Sequence, residues 1–474
     1  MLLSRLLAVL AVAAWLQAAS QPPSARQPVP LTFADVTPVF TYLPHLLPGD
    51  LRNRDADARA AFWPEWARQR DTAIRARVLA GDEDSLVNFL LFGTTFTKQP
   101  RVPLGRALQI AAAAGERETP DGPRDPVLRA RLDDLIGAMV SPGDNERLQF
   151  ARQFFEGKGY AVATSEGASQ IRRQLTAALF RTLDETNAYA RTIARSEQQE
   201  SPTAQFALRS KLYESRGLSS DTSLRPNFGI DQALHEIRAK GLLPKVARVA
   251  VVGPGLDFVD KEEGFDFYPQ QSLQPFAIVD SLLRLNATAA YPIQLTTFDL
   301  SPRVNAHLAA VRRRSLEGQP TVLHIVLPAT GGTNPAFRAF AGQFADRIGK
   351  PATPPRVPDG AGPITVRAVN VRPGIGQAIA PVDVNIVLQR LDLPDAEKFD
   401  LIVGTNVFLY YEEFQQALAM LNIERMLKPG GLLLTNNALV ELPSSRLRSV
   451  GTTTVAYSST KGDGDVIIWY RLRE

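Results

Sequence analysis

The run Val246-Ala247-Arg248-Val249-Ala250-Val251-Val252, followed by Gly253-Pro254-Gly255, decides the reading of this chain. Its valines suit a pleated, buried strand. The glycines that end it let the backbone approach a ligand where a side chain would stand in the way. Beyond an insertion, Ile278, Leu282 and Leu285 recur at helical spacing, so the order is strand, glycine corner, helix. A nicotinamide or flavin site wants a third glycine three positions after the second, to pack the helix and present its N-terminus to a pyrophosphate. Phe258 stands there, which argues against a dinucleotide enzyme. A carboxylate suited to ribose hydroxyls closes the next strand-like run, Ile293-Gln294-Leu295-Thr296-Thr297-Phe298-Asp299. Asp299 lies farther from Gly253 than the ~20 residues of the dinucleotide pattern, so the helical connection carries an insertion.

Later segments repeat the alternation. Lys398-Phe399-Asp400-Leu401-Ile402-Val403-Gly404-Thr405-Asn406-Val407-Phe408-Leu409-Tyr410-Tyr411 reads as a strand ending in polar and aromatic residues, followed by a helix with Phe414, Leu418 and Leu421 on one face. Met426-Leu427-Lys428-Pro429-Gly430-Gly431 then stops the helix and turns into the strand Leu432-Leu433-Leu434. The order Val-Gly-Pro-Gly, Phe-Asp-Leu-Ser, Phe-Asp-Leu-Ile-Val and Leu-Lys-Pro-Gly-Gly, from Val246 to Glu474, resembles the class I S-adenosylmethionine-dependent methyltransferases. Asn406-Val407-Phe408-Leu409-Tyr410 is similar to the chemotaxis receptor methyltransferases within that superfamily.

The resemblance implies an α/β fold: a Rossmann-like sheet with a terminal antiparallel hairpin, formed by residues 452–457 and 466–472 around Gly462-Asp463-Gly464. It implies S-adenosylmethionine as cofactor, with Gly253 and Gly255 under its amino-acid end and Asp299 on its ribose. Asp392, after the strand-like run 384–388, matches the position that meets the adenine, and Asn406 falls beside the transferring methyl group. Asn406, Tyr410 and Tyr411 are candidates to line the acceptor pocket. The chain also departs from the family. Val251 occupies the place of an acid two positions before the first glycine, with Asp257 nearby as a substitute, and extra strand-like runs appear at 321–327 and 364–371.

Outward from this half, residues 31–240 show helical spacing, as in Leu128, Leu132, Leu135 and Met139, or Ile171, Leu175 and Leu179, and few strand signals. We therefore expect a mostly α-helical N-terminal domain over 31–240 and a methyltransferase-like domain over 241–474. The polar run 219–226 precedes an apolar helix and reads as its cap, with a ligand-facing lid as the second option. Residues 351–363, rich in proline and glycine, read as an inserted surface loop, and the Pro, Ser and Gln of 21–30 read as a flexible tether. Residues 1–20 combine Arg5, an apolar run from Leu6 to Leu16 and small residues Ala18, Ala19 and Ser20, the grammar of a cleavable signal peptide. That predicts export to the periplasm or the exterior. A downstream start site would return the protein to the cytoplasm.

Composition narrows the function further. At 474 residues with 45% apolar and 22% charged side chains, a folded chain of more than one unit is expected. A net charge of +4 is a weak field over that length and does not mark a nucleic-acid binder. Without cysteine there are no disulfides or thiolate sites, and the dispersed His45, His235, His307 and His324 offer no zinc spacing, so no metal is expected. No Gly-x-Ser-x-Gly elbow supports a hydrolase. Methyl transfer to an unidentified acceptor is the leading reading. The alternative is an exported, non-catalytic binding or scaffold protein retaining the fold, to which Val251 and the signal peptide point.

Overall fold

The computed structural model describes residues 26–474 apart from 113–116, 120–121, 197–212, 214–215, 260–264, 330, 359–360 and 362–363. The signal peptide read over 1–20 lies outside the described residues, as do residues 21–25 of the tether. The rest of that tether is not a free linker: β1 (Pro28–Pro30) pairs antiparallel with residues 389–391. Prolines are admissible there because an edge strand needs no donor on its outer side.

Helices dominate from here to residue 239. In α1 (Phe33–Tyr42), Thr32 and Asp35 form a reciprocal capping box. The 37-residue α2 (Ala56–Phe92) is capped by Asp55. Next come α3 (Leu104–Ala112), α4 (Pro126–Val140), α5 (Glu146–Gly157) and α6 (Ser165–Ser196). Asp125 caps α4, whose Pro126 takes the first position, where no N–H is needed. Leu128, Leu132, Leu135, Met139, Ile171, Leu175 and Leu179 are buried together with Leu86 and Leu90 of α2. A last helix, α7 (Arg225–Ala239), leads into the sheet.

The second half runs β2 (Arg248–Val252), α8 (Gln274–Arg284), β3 (Gln294–Asp299), α9 (Pro302–Leu316), β4 (Thr321–Leu327), α10 (Pro335–Gln343), β5 (Gly349–Ala352), β6 (Thr365–Val371), β7 (Ile379–Asp383), β8 (Gln389–Leu391), β9 (Phe399–Val403), α11 (Glu413–Met426), β10 (Leu427–Thr435), β11 (Leu447–Ala456) and β12 (Gly464–Leu472). Seven strands form one sheet in the order β11-β12-β10-β9-β2-β3-β7. The five from β10 to β7 are mutually parallel, β12 pairs antiparallel with β10, and β11 pairs antiparallel with β12 to close the edge. This is an α/β protein with a Rossmann-like, mostly parallel sheet, a terminal antiparallel hairpin and a mostly α-helical N-terminal region.

Two placements differ from the sequence reading. The run 384–388, read as strand-like, is not a strand: its buried Val384, Ile386 and Val387 pack around a turn at Asn385, and the strand beside β3 is β7. The extra strands β4, β5 and β6 form a separate antiparallel sheet, and β5 runs into the start of the expected 351–363 loop, ending at Ala352.

Alternation along each strand divides the core in two. Ala250, Val252, Ile402 and Leu433 face a layer that includes Leu31, Val36, Trp63, Trp66 and Ile74 of the N-terminal region. Val249, Val251, Leu401 and Leu434 face α7 and α8. The helical cluster is thus narrower than 31–240, since α1, the start of α2 and α7 are layers of the sheet, and it also takes in Phe258 and Val259.

Candidate functional site

Parallel strands deliver their C-terminal ends to one edge, and ligands bind where the order of connection reverses. Here that point is β2, flanked by β3 on one side and β9 on the other. A cleft of about 790 Å³, open to solvent, lies there. Gly253, Gly255, Asp299, Asn406, Tyr410 and Tyr411 all border it.

Both glycines adopt left-handed backbone, with φ of 64° and 63°. A Cβ on Gly253 would lie 2.5 Å from Cγ2 of Val407, and one on Gly255 would lie 2.7 Å from the Ser220 carbonyl. The corner is bare because chain crosses it closely. Asp299 ends β3, where its carboxylate accepts the Ser301 N–H at 2.8 Å and the Gly255 N–H. Burial nevertheless pushes its carboxyl up to about 6.

Asn406 follows β9 in the left-handed region at φ 59°, tolerated by a short amide side chain. Its N–H donates to Asn436 Oδ1 at 2.8 Å, and its Oδ1 accepts from Asn436 Nδ2 at 2.6 Å. The Tyr410 carbonyl accepts from Arg77 of α2 at 2.9 Å, and its ring meets Tyr213 edge-on at 5.2 Å. Burial lifts the Tyr411 hydroxyl to about 12 and that of Tyr410 above the ordinary tyrosine range.

A strap from the N-terminal half completes the wall. Residues 218–222 cross the glycine corner: Leu256 N–H donates to the Ser220 carbonyl at 2.7 Å, and Thr222 N–H to the Leu256 carbonyl at 2.9 Å. Leu218, Ser219, Ser220, Asp221 and Thr222 border the cleft. The cap reading of 219–226 is therefore corrected: α7 starts from Leu224 without a side-chain cap, and the polar residues serve the cleft. A hydroxyl-rich run with no strand or helix period was the available signal. Gln274 and Thr405, also missed in sequence, border the cleft and are joined at 2.9 Å.

Two residues fall elsewhere. Asp392 is exposed beyond β8, where its carbonyl accepts from Arg26 at 3.1 Å. It misses the cleft because β7 holds the position assumed for 384–388, leaving Val384 and Ile386 on the wall instead. Asp257 borders a second cavity of about 750 Å³ with Tyr268, His324 and Tyr457. There its carboxylate accepts from the Tyr268 hydroxyl and Gln271 Nε2, both at 3.0 Å, so it does not replace the acid missing at Val251.

Among the described residues no group of three or more His, Cys, Asp or Glu side chains is arranged to hold a metal ion, and no helix is long and apolar enough to cross a membrane.

No family model matches the chain, and no curated protein matches it. Solved structures similar to it include the N-methyltransferase NodS from Bradyrhizobium japonicum, 14% identical, covering 52% of this chain and 99% of its own, with a TM-score of 0.23. A magnesium protoporphyrin IX methyltransferase from Synechocystis with bound SAM is 11% identical, covering 61% of this chain and 91% of its own at a TM-score of 0.25. MtNAS in complex with MTA and tNA is 12% identical and covers 78% of this chain and 97% of its own at a TM-score of 0.24.

Proposed function

We propose that this protein is an S-adenosylmethionine-dependent methyltransferase. The observation that carries the reading is that Gly253, Gly255 and Asp299 border one open hollow at the switch point of the parallel sheet. The chemistry of the wall fits the cofactor. Asp221 and Asp299 are carboxylates, and among the described residues no lysine, arginine or histidine borders the cleft. A sulfonium amino acid suits such a wall, whereas a pyrophosphate would meet repulsion. Gln274 adds a buried Oε1 without a hydrogen-bond partner.

In this reading the amino-acid end lies beside the Gly253–Gly255 corner, whose close crossing brings residues 218–222 to the cleft, and Asp299 accepts from ribose hydroxyls. Val384 and Ile386 replace Asp392 as the adenine wall, with Asn406, Tyr410 and Tyr411 at the acceptor end. The bound cofactor supplies an activated methyl group for in-line displacement. The chain's own work is alignment and exclusion of water. The tyrosine hydroxyls stay protonated at neutral pH, so they donate hydrogen bonds and do not act as bases.

Calorimetry with S-adenosylmethionine and S-adenosylhomocysteine tests this. Binding that is lost in Asp299→Ala is expected, and no binding of either at millimolar ligand overturns it. Residues 1–20 are proposed to direct export, and N-terminal sequencing of native protein that finds Met1 retained would refute this. With so weak a net charge, the acceptor is proposed to lie outside the nucleic acids.

A further inference from the structure

We propose that Asp221 and Gln274 form the subsite for the α-ammonium group of S-adenosylmethionine, in place of the acid absent at Val251. This rests on the cofactor reading above and extends it to two residues outside the strand-and-glycine signature. Val251 offers nothing to the cleft, because its side chain is fully buried in the opposite layer with α7 and α8. Asp257 belongs to the other cavity. Asp299 already accepts two backbone N–H groups at the tip of β3, the ribose end.

The strap brings a carboxylate to the amino-acid end. Asp221 forms a parallel bridge with Leu256, the residue after Gly255. Its side chain is held from behind by α2: the Ser85 hydroxyl donates to Oδ1 at 2.6 Å, and Asn88 Nδ2 donates to Oδ2 at 3.0 Å. Each carboxylate oxygen can accept about two hydrogen bonds, so these contacts orient the group without exhausting it. Gly255 makes the approach possible, since a Cβ there would strike the Ser220 carbonyl.

Gln274 supplies the second acceptor independently. It opens α8 on the same cleft and is 2% exposed. Donation from Nε2 to Thr405 Oγ1 at 2.9 Å fixes the amide, leaving Oε1 buried and without a partner. A buried acceptor of this kind is open to a donor brought by a ligand or by ordered water. An ammonium carries three donors and no acceptor, which matches a carboxylate and an amide oxygen.

The test is calorimetry on the full chain with S-adenosylhomocysteine, which carries the ammonium, and 5′-methylthioadenosine, which lacks the amino acid. Asp221→Asn and Gln274→Met are each expected to weaken S-adenosylhomocysteine about tenfold or more while leaving 5′-methylthioadenosine within about twofold, the loss of a charge-assisted hydrogen bond. Equal weakening of both ligands would make these residues merely structural and overturn the proposal, as would unchanged binding of both. Wild-type protein that binds neither ligand overturns the cofactor reading itself, a different result. Unfolding midpoints without ligand identify a variant that has lost its fold, and the other variant then decides.

Discussion

At Asp299 the carboxylate proposed to accept from ribose hydroxyls has to ionise where burial opposes charge. Its carboxyl stands at about 6, against 3.8 for the free group. The folded protein therefore keeps the proton between those values while the unfolded chain has released it, and Asp299 costs more stability as pH rises through that window. Above about 6 the cost is complete. Asp299→Asn is expected to raise stability by on the order of 1–2 kcal/mol at about pH 8, a gain that fades below about pH 4. Denaturant midpoints across pH check this, and an equal effect at both ends would refute it. Ribose hydroxyls need the ionised form as acceptor, so wild-type affinity for an adenosyl ligand should weaken below about pH 6. Sequence placed Asp299 at the end of a strand that follows the glycine corner, and the structure sets it on the wall of the cleft. Asp392 carried a similar local signal and stands outside the cleft, because its role depended on which run pairs with β3.

The strap over the glycine corner is the element on which the site depends. Arg77 of α2 ties it down, donating to the carbonyls of Tyr213, Arg216 and Tyr410 at 2.7, 2.9 and 2.9 Å. Arg77→Met leaves those carbonyls without this donor and is expected to speed proteolytic cleavage near residues 213–222 while weakening adenosyl ligands. Unchanged cleavage would show that the strap is held by other means. Gly255→Ala attacks the same crossing from below. A left-handed backbone at φ 63° and a Cβ 2.7 Å from the Ser220 carbonyl should together cost about 1–3 kcal/mol, read from the unfolding midpoint. Periodicity revealed the strands and helices because it repeats along the chain. The strap has no period, and its partners lie on α2 and after β2, far away in sequence.

Across the whole molecule the two halves share their core. Trp63 stacks on Trp66 at 5.1 Å, and its indole N–H donates to the Leu31 carbonyl at 2.8 Å. Both rings pack in the layer that covers Val252, Ile402 and Leu433 of the sheet. Trp63→Ala should cost about 3–5 kcal/mol, and because that layer is common, probes in either half should lose structure in one transition. Separate transitions would indicate independent domains. A second tie is Arg147 of α5, almost fully buried, which donates to the carbonyls of Asp266 and Tyr268 at 3.0 and 2.6 Å and to that of Phe258. Phe258, read as the residue that spoils a dinucleotide loop, packs in the helical core against Phe89 and Phe150.

Amino-acid order alone specified the strand-and-helix alternation, the glycine corner, Asp299 and the closing hairpin. Each rests on backbone propensity or on neighbours a few residues apart. Folding decided that β7 flanks β3, that Asp257 and Asp392 stand apart from the cleft, and that residues 218–222 wall it. Those outcomes depend on which apolar surfaces find one another across hundreds of residues, and burial free energy is non-directional, so composition cannot name the partner.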